Sequence, residues 1–276
     1  MPLSINTNIA SLTAQRSFLN SNSALETAFE RLSTGKRINS ASDDAAGLAI
    51  ATDLNSRVSG LNQAVRNVND GISMVQIMEG TYDEVTSILQ RMRDMAVQAA
   101  NGSLTATEQG YLETEQTALQ SALNDALEQA TFSNIDLADN TSASVISISI
   151  QAGSNTGDAV SIALTSAAAS NASGLGITAI DLSSDASAAI GLADAAIGHV
   201  ATQRAQLGAY QAQLESTVRN LSNVAENTAA AAGRIMDTDY AAETANLTKA
   251  QILQQAATSV LAQANAQPQA VLSLLQ

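Results

Sequence analysis

A seam of apolar residues constrains this chain more than any other feature. Leu54, Val58, Leu61, Val65, Val68, Ile72 and Val75 follow one another at alternating steps of four and three. That spacing keeps one stripe of an α-helix turned toward a partner, as in a coiled coil. After Val75 the step slips by one to Met78 and then resumes through Tyr82, Val85, Leu89, Met92, Ala96 and Ala99. A three where a four belongs is a stammer, which overwinds the supercoil beside Gly80 without ending the helix. The only prolines are Pro2 and Pro268, so nothing between them breaks a long helix. Asn101-Gly102-Ser103 is a stop signal. Thr105 and Glu108 then have the spacing of a capping box, which starts a second helix running to about Gln129. The short turn makes the two helices antiparallel.

A second seam lies near the other end. One line passes through Ile190, Ile197, Arg204, Gln211, Val218, Ala225 and Ala232, its partner through Ala193, Val200, Leu207, Leu214, Leu221, Thr228 and Ile235. An isolated stripe cannot hide itself, so this third helix must fold back on the first two. The mixed first line marks a less deeply buried edge. Between the seams Ile146, Ile148 and Ile150 alternate with polar residues, as do Val160, Ile162 and Leu164 with Ser161 and Ala163, which predicts a β-hairpin across GSNTGD. From Thr165 to Ser187 the chain is rich in Ser, Ala, Asp and Gly and reads as an exposed loop. The expected fold class is mainly α: long antiparallel coiled-coil helices made from both chain ends, with a small β-hairpin region in the middle.

The outermost arms are also helical in pattern, with Leu25, Phe29 and Leu32 in the first and Leu253, Ala257, Val260 and Ala264 in the second. Gly35 reads as a stop, and Ser40 to Asp43 as a restart. The arms carry much apolar surface with few obvious partners in the chain. They are expected to be mobile alone and ordered against neighbouring copies. The expected division is terminal helical arms at 1–40 and 237–276 around a helical rod at 41–236, with its hairpin at about 140–166 and the loop at about 166–187.

Composition excludes several classes. With 26 acidic residues against twelve Lys and Arg, the formal charge is −14, which disfavours nucleic-acid phosphates and anionic membranes as partners. No apolar run reaches the roughly 18–20 residues of a membrane span. The start lacks the basic cluster and apolar stretch of a cleaved leader, so any export is expected to proceed without one. The chain has no cysteine, and no H-E-x-x-H, P-loop or G-x-S-x-G motif; no catalytic residue, metal or cofactor is expected. His199 stands alone and reads as structural. Asp43, Asp44, Asp237 and Asp239 fit helix starts better than a metal site. Met74, Met78, Met92 and Met95 fit packing.

The two ends resemble the bacterial flagellin family. The resemblance is carried by SINTNIASL near the start, LETAFERLSTGKRINSASDDAAGLAIA from Leu25, RNVNDGISMVQ from Arg66, LQRMRDMAVQAAN from Leu89 and TFSN from Thr131. At the other end it is carried by the GRIMDTDYA run up to Glu243 and by SVLAQAN after Ala257. It implies a secreted structural subunit, not an enzyme, that is exported by the flagellar type III route and polymerises with other copies of itself into the extracellular filament that supports motility. The implied partners are an export chaperone at the C-terminal helices, the filament cap and hook-associated proteins. The apolar residues of the arms, Leu3, Ile5, Ile9, Leu12, Leu25, Phe29, Leu32, Ile252, Leu253, Val260, Leu261, Leu272 and Leu275, form the expected polymerisation set. The family's motif for an animal Toll-like receptor falls on Gln90, Arg91, Arg93, Ala96, Val97 and Gln98, with Met95 inside it and Glu115 on the next helix. Asp94 and Met95 replace the more usual Glu and Leu. A hook–filament junction protein of the same superfamily is the alternative reading. An enzyme displayed on such a scaffold is a third, for which the short middle segment leaves little room.

Overall fold

The computed structural model describes residues 7–138, 146–164, 174–175, 182 and 185–273. Its helices are α1 (Ile9–Thr34), α2 (Ala45–Ala99), α3 (Ala106–Glu128), α4 (Ala186–Met236) and α5 (Tyr240–Ser273). Four short strands lie between α3 and α4: β1 (Thr131–Phe132), β2 (Ile135–Asp136), β3 (Ile146–Gln151) and β4 (Ala159–Leu164). No helix among the described residues is long and apolar enough to cross a membrane. The chain divides into two compact units, residues 1–56 with 227–276 and residues 57–226.

Unit 57–226 is built on the seams read from the sequence. Leu61, Val68, Val75, Met78, Tyr82, Val85, Leu89 and Met92 of α2 are buried, so the seam continues through the stammer at Gly80. They meet Leu123 and Leu127 of α3 and Val200, Leu207 and Leu214 of α4 in one core. On the other α4 line Ile190, Ile197 and Val218 are only partly buried, as its mixed composition predicts, but Ala225 further along the same line is buried in the core. Both helix pairings are antiparallel. Arg93 on α2 meets Asp194 on α4 at 2.6 Å, and ten residues earlier Asp83 meets Arg204 at 3.0 Å. Arg91 on α2 meets Glu115 on α3, and Gln109 donates to the Ala99 carbonyl.

The caps explain where these helices begin. Thr105 accepts the Glu108 N–H while Glu108 accepts the Thr105 N–H, so both halves of the capping box form. The β3–β4 hairpin pairs Ile148 with Ile162 and Ile150 with Val160 and turns through residues 152–158. It rests on α2 at Gly71, where the Ile150 side chain occupies the space a Cβ would need. Tyr210 of α4 accepts the Ala163 N–H through its hydroxyl oxygen. The β1–β2 hairpin was not expected from the sequence. Its two loop residues, Ser133 and Asn134, have φ of 48° and 64°, the left-handed pair a tight type I′ turn requires. Most of the segment read as an exposed loop lies outside the described residues. Within it, Leu175 and Leu182 are buried in this core.

Unit 1–56 with 227–276 corrects the expectation that the terminal arms lack partners in the chain. Helices α1 and α5 pair with each other, antiparallel. Asn8 donates to the Ala264 carbonyl at 2.7 Å, Gln254 to Asn22 at 3.0 Å, and Arg31 lies 3.8 Å from Glu243. The sequence pattern understated this seam because its fully closed positions are small: Ala14 and Ala28 on α1, and Ala250, Ala257 and Ala264 at seven-residue intervals on α5. Asn8 caps α1 by accepting the Ser11 N–H, and Gly35 ends it with φ 70°.

The two connectors of this unit are clasped. Arg37 donates its N–H to the Met236 carbonyl at 2.6 Å, and Thr238 to the Gly35 carbonyl at 3.0 Å, which makes a single antiparallel bridge between Lys36 and Asp237. The Arg37 guanidinium also reaches the Ile235 carbonyl. Gly35 takes the conformation that glycine favours, and the Tyr240 hydroxyl lies 2.8 Å from where a Cβ would project. The four carboxylates considered as a metal site do local work. Asp43 accepts N–H bonds from Ser40 and Asn39, Asp44 accepts the Gly47 N–H at the start of α2, and Asp239 accepts the Ala241 N–H at the start of α5. Asp237 belongs to the clasp.

Candidate assembly and recognition surfaces

Two surfaces collect the residues singled out by the sequence. The first belongs to the α1–α5 pair. Leu25, Leu32 and Leu261 are half-buried, and they fall in heptad register with the closed alanines. Ile9, Leu12 and Phe29 on α1, and Ile252, Leu253 and Val260 on α5, are exposed. Leu19, which the sequence reading did not include, is 65% exposed and belongs with them. Its spacing of seven from Leu12 was the available signal. Leu3, Ile5 and Leu275 lie outside the described residues, and Leu272 lies in the last turn of α5, whose side chains are not described.

Exposed aliphatic residues are ordinary one at a time, but a row of them on a helix that already has a partner is not. Charge is also sparse here. From Ile9 to Leu25 the only charged residue is Arg16, and from Ala250 to Ser273 there is none. This unit carries eight acidic and six basic residues, a net of −2. Unit 57–226 carries eighteen and six, a net of −12. The chain has therefore concentrated its electrostatic self-repulsion away from its most apolar surface.

The second surface lies on α2 and α3. Gln90, Arg91 and Gln98 are exposed, with Val97, while Arg93 and Glu115 are partly covered. Arg91 uses Nε at 3.0 Å and Nη2 at 2.6 Å on the same Glu115 oxygen. Arg93 is held from the other side. Asp194 on α4 accepts its Nε–H and raises the guanidinium pKa above its usual value, first by that hydrogen bond and then by its charge. Met95 is corrected: fully buried together with Ala96, it packs beneath this face and presents nothing on it. On α2, position 95 follows the seam residue Met92 by three, so it turns inward with Ala99. Asp194 was not singled out in the sequence, since its partner lies 101 residues away.

With these surfaces in place, the comparisons with known proteins identify the class. Residues 5–143 match the bacterial flagellin N-terminal helical region and residues 190–275 the bacterial flagellin C-terminal helical region, so the chain belongs to the bacterial flagellin family. It is 42% identical to a flagellin of Halalkalibacterium halodurans, with 99% of each chain covered. It is 39% identical to the flagellar filament 33 kDa core protein of Treponema phagedenis, again over 99% of each chain. Among solved structures, a candidate flagellar hook-associated protein from Vibrio parahaemolyticus superposes with a TM-score of 0.59, covering 71% of this chain and all of that one. At 17% identity that likeness speaks for the fold alone. The chain is a structural subunit of the extracellular bacterial flagellar filament, and the relatives favour this over the junction reading.

Proposed function

We propose that copies of this chain join through the exposed apolar residues of the α1–α5 pair, and that the segments 1–40 and 237–276 form the inner core of the filament while 41–236 surrounds it. The observation that carries this is the row of exposed aliphatic side chains on helices that carry one charge between Ile9 and Leu25 and none from Ala250 to Ser273. Burying them is worth about 25 cal/mol per Å² of apolar surface, a gain available only against another molecule. Assembly of this kind needs no catalysis, and the chain acts without any. A chain lacking residues 1–35 and 238–276 should remain a monomer under conditions in which the full chain forms filaments visible by electron microscopy. Normal filaments from the trimmed chain would end this reading.

The exposed C-terminal helix also suits an export chaperone that covers it before assembly. The filament cap and hook-associated proteins are expected to contact the same unit at the ends of the polymer.

A second role is favoured by the Arg91–Glu115 pair. Gln90, Arg91, Gln98 and Glu115, with Arg93 steadied by Asp194, offer directional charged donors and acceptors on two packed helices, as an animal Toll-like receptor would require. Arg91→Ala should leave filament formation unchanged and weaken receptor signalling at least about tenfold, the loss that corresponds to about 1.4 kcal/mol. Unchanged signalling would remove the receptor role and leave the assembly role untouched.

A further inference from the structure

Asn101 is the only asparagine in the chain that precedes a glycine. It stands in the turn between α2 and α3, where Asn101, Gly102 and Ser103 are all exposed. Its backbone is tied down. Asn101 donates its N–H to the Gln98 carbonyl at 3.1 Å, and its own carbonyl accepts the Leu104 N–H at 3.2 Å. The side chain folds forward over the same turn, with Oδ1 accepting the Ser103 N–H at 3.4 Å. To reach an N–H two residues ahead, the side-chain amide must cross the Gly102 peptide, which brings Cγ beside the Gly102 nitrogen. That nitrogen is uncommitted: among the described residues nothing accepts the Gly102 N–H.

Nothing in the fold asks for glycine at this place. A Cβ on Gly102 would meet no atom within 4 Å, and its φ is not among the positive ones. What the glycine does provide is an uncrowded amide nitrogen. Asn62 and Asn220, exposed on α2 and α4, differ on both counts. Each is followed by a residue with a side chain, and the next N–H is committed to a helical hydrogen bond.

From this juxtaposition we infer that Asn101 is a site of spontaneous covalent modification, at which its side-chain amide becomes a carboxylate with water as the reactant. The Gly102 nitrogen gives its proton to solvent and bonds to Asn101 Cγ. The Cγ–Nδ2 bond breaks, Nδ2 takes up a proton and leaves as ammonia, and a five-membered cyclic imide spans the two residues. Water then adds to one of the two imide carbonyl carbons. Opening at Cγ leaves aspartate on an unchanged main chain, whereas opening at the backbone carbonyl leaves isoaspartate, with the main chain rerouted through Cβ and Cγ. No atom is oxidised or reduced. Either product sets a negative charge just beyond the end of α2, whose last turn carries no basic residue. That is the unfavourable end of the helix dipole for an anion. Isoaspartate also lengthens the connector to α3, which Gln109 ties to the Ala99 carbonyl at 3.4 Å. With age, copies of the chain acquire a charge and a loosened α2–α3 turn, one helical turn from Gln98.

The test holds the folded full-length chain in mildly alkaline buffer and maps its peptides by mass over time. Acid should replace amide at position 101 well ahead of positions 62 and 220. Part of it should be isoaspartate, detected with an isoaspartyl methyltransferase. Isoaspartate arises only through the imide, so this readout stands without any variant. Gly102→Ala should slow the change at least about tenfold, equivalent to about 1.4 kcal/mol in the barrier, and leave the helical circular dichroism unaltered. Asn101→Asp, which supplies the charge at once, should lower the hydrogen-exchange protection of the last turn of α2. No conversion at 101, equal conversion at all three asparagines, conversion without isoaspartate, or conversion only after unfolding in urea would overturn the inference. So would an unchanged rate in Gly102→Ala. Unchanged protection in Asn101→Asp would overturn the structural consequence alone.

Discussion

Among the described residues of the α1–α5 pair every buried apolar side chain is alanine, whereas unit 57–226 buries Tyr82, Met78, Met92, Met95, Leu89, Leu123 and Leu127. The difference is one of how stability is obtained. Alanine lets helix backbones approach closely but removes little apolar surface from water, so the α1–α5 pair gains little from folding by itself. Its larger aliphatic side chains remain outside, where a neighbour can cover them. Unit 57–226 closes its large side chains inside one copy and turns its charge outward. Under the proposed assembly, unit 57–226 holds its own core while the α1–α5 pair gains its larger share of burial from a neighbouring copy. Amide hydrogen exchange on the monomer should accordingly run faster in α1 and α5 than in the core turns of α2 and α4.

The contrast can be strained most severely by truncation. Leu89→Ala should cost unit 57–226 about 2–5 kcal/mol, because the cavity it leaves is closed on all sides. Ala257→Gly should cost the α1–α5 pair only about 1 kcal/mol, chiefly as helix propensity. Urea unfolding of each variant measures both, and equal costs would erase the distinction. Gly71→Val should come next, at about 1–3 kcal/mol, since it pushes the Ile150 side chain off α2. The β3–β4 amides should lose exchange protection before the helices do.

A smaller effect of opposite sign is expected at Gln116. It is buried on α3, and neither amide atom has a hydrogen-bonding partner among the described residues. Gln116→Leu should therefore stabilise unit 57–226 by about 1 kcal/mol in the same unfolding measurement.

The smallest effect is acid sensitivity at the exposed caps. The Thr105 N–H and then its hydroxyl hold the Glu108 carboxyl below its ordinary 4.5, and the Ser40 and Asn39 N–H groups hold Asp43 below 3.8. For a depressed acid the contribution is complete above the unfolded pKa and is lost as pH falls through the folded one. Lowering the pH from about 5 to about 3 should fray the start of α3, and the turn at Ser40 should follow at lower pH. Amide chemical shifts of Glu108 and Ser40 would report each step. Fraying that began near neutral pH would contradict it.

Heptads made α2 and α4 legible, and the capping box located α3 to within a residue or two, because large side chains at regular steps leave little choice of face. The β3–β4 hairpin was legible for the corresponding reason at period two. The α1–α5 pairing was not, since Ala250, Ala257 and Ala264 repeat every seven residues inside a helix where alanine is common on all sides. Nor was the β1–β2 turn, whose Ser133-Asn134 lacks the glycine that usually marks a type I′ loop. At the candidate recognition surface the side chains could be named from their motif, but the direction of Met95 and the tie from Arg93 to Asp194 depend on which helices flank α2.

The Lys36–Asp237 bridge has a consequence for how such a chain can vary. It fastens together two points about two hundred residues apart, Arg37 and Ile235 being separated by 198. The entropy of closing a loop grows only with the logarithm of its length, so doubling the enclosed chain would cost about 0.6 kcal/mol more. What lies inside the bridge behaves as a cassette. Segments spliced in between β4 and α4 would leave the two ends of the chain fastened in the same register.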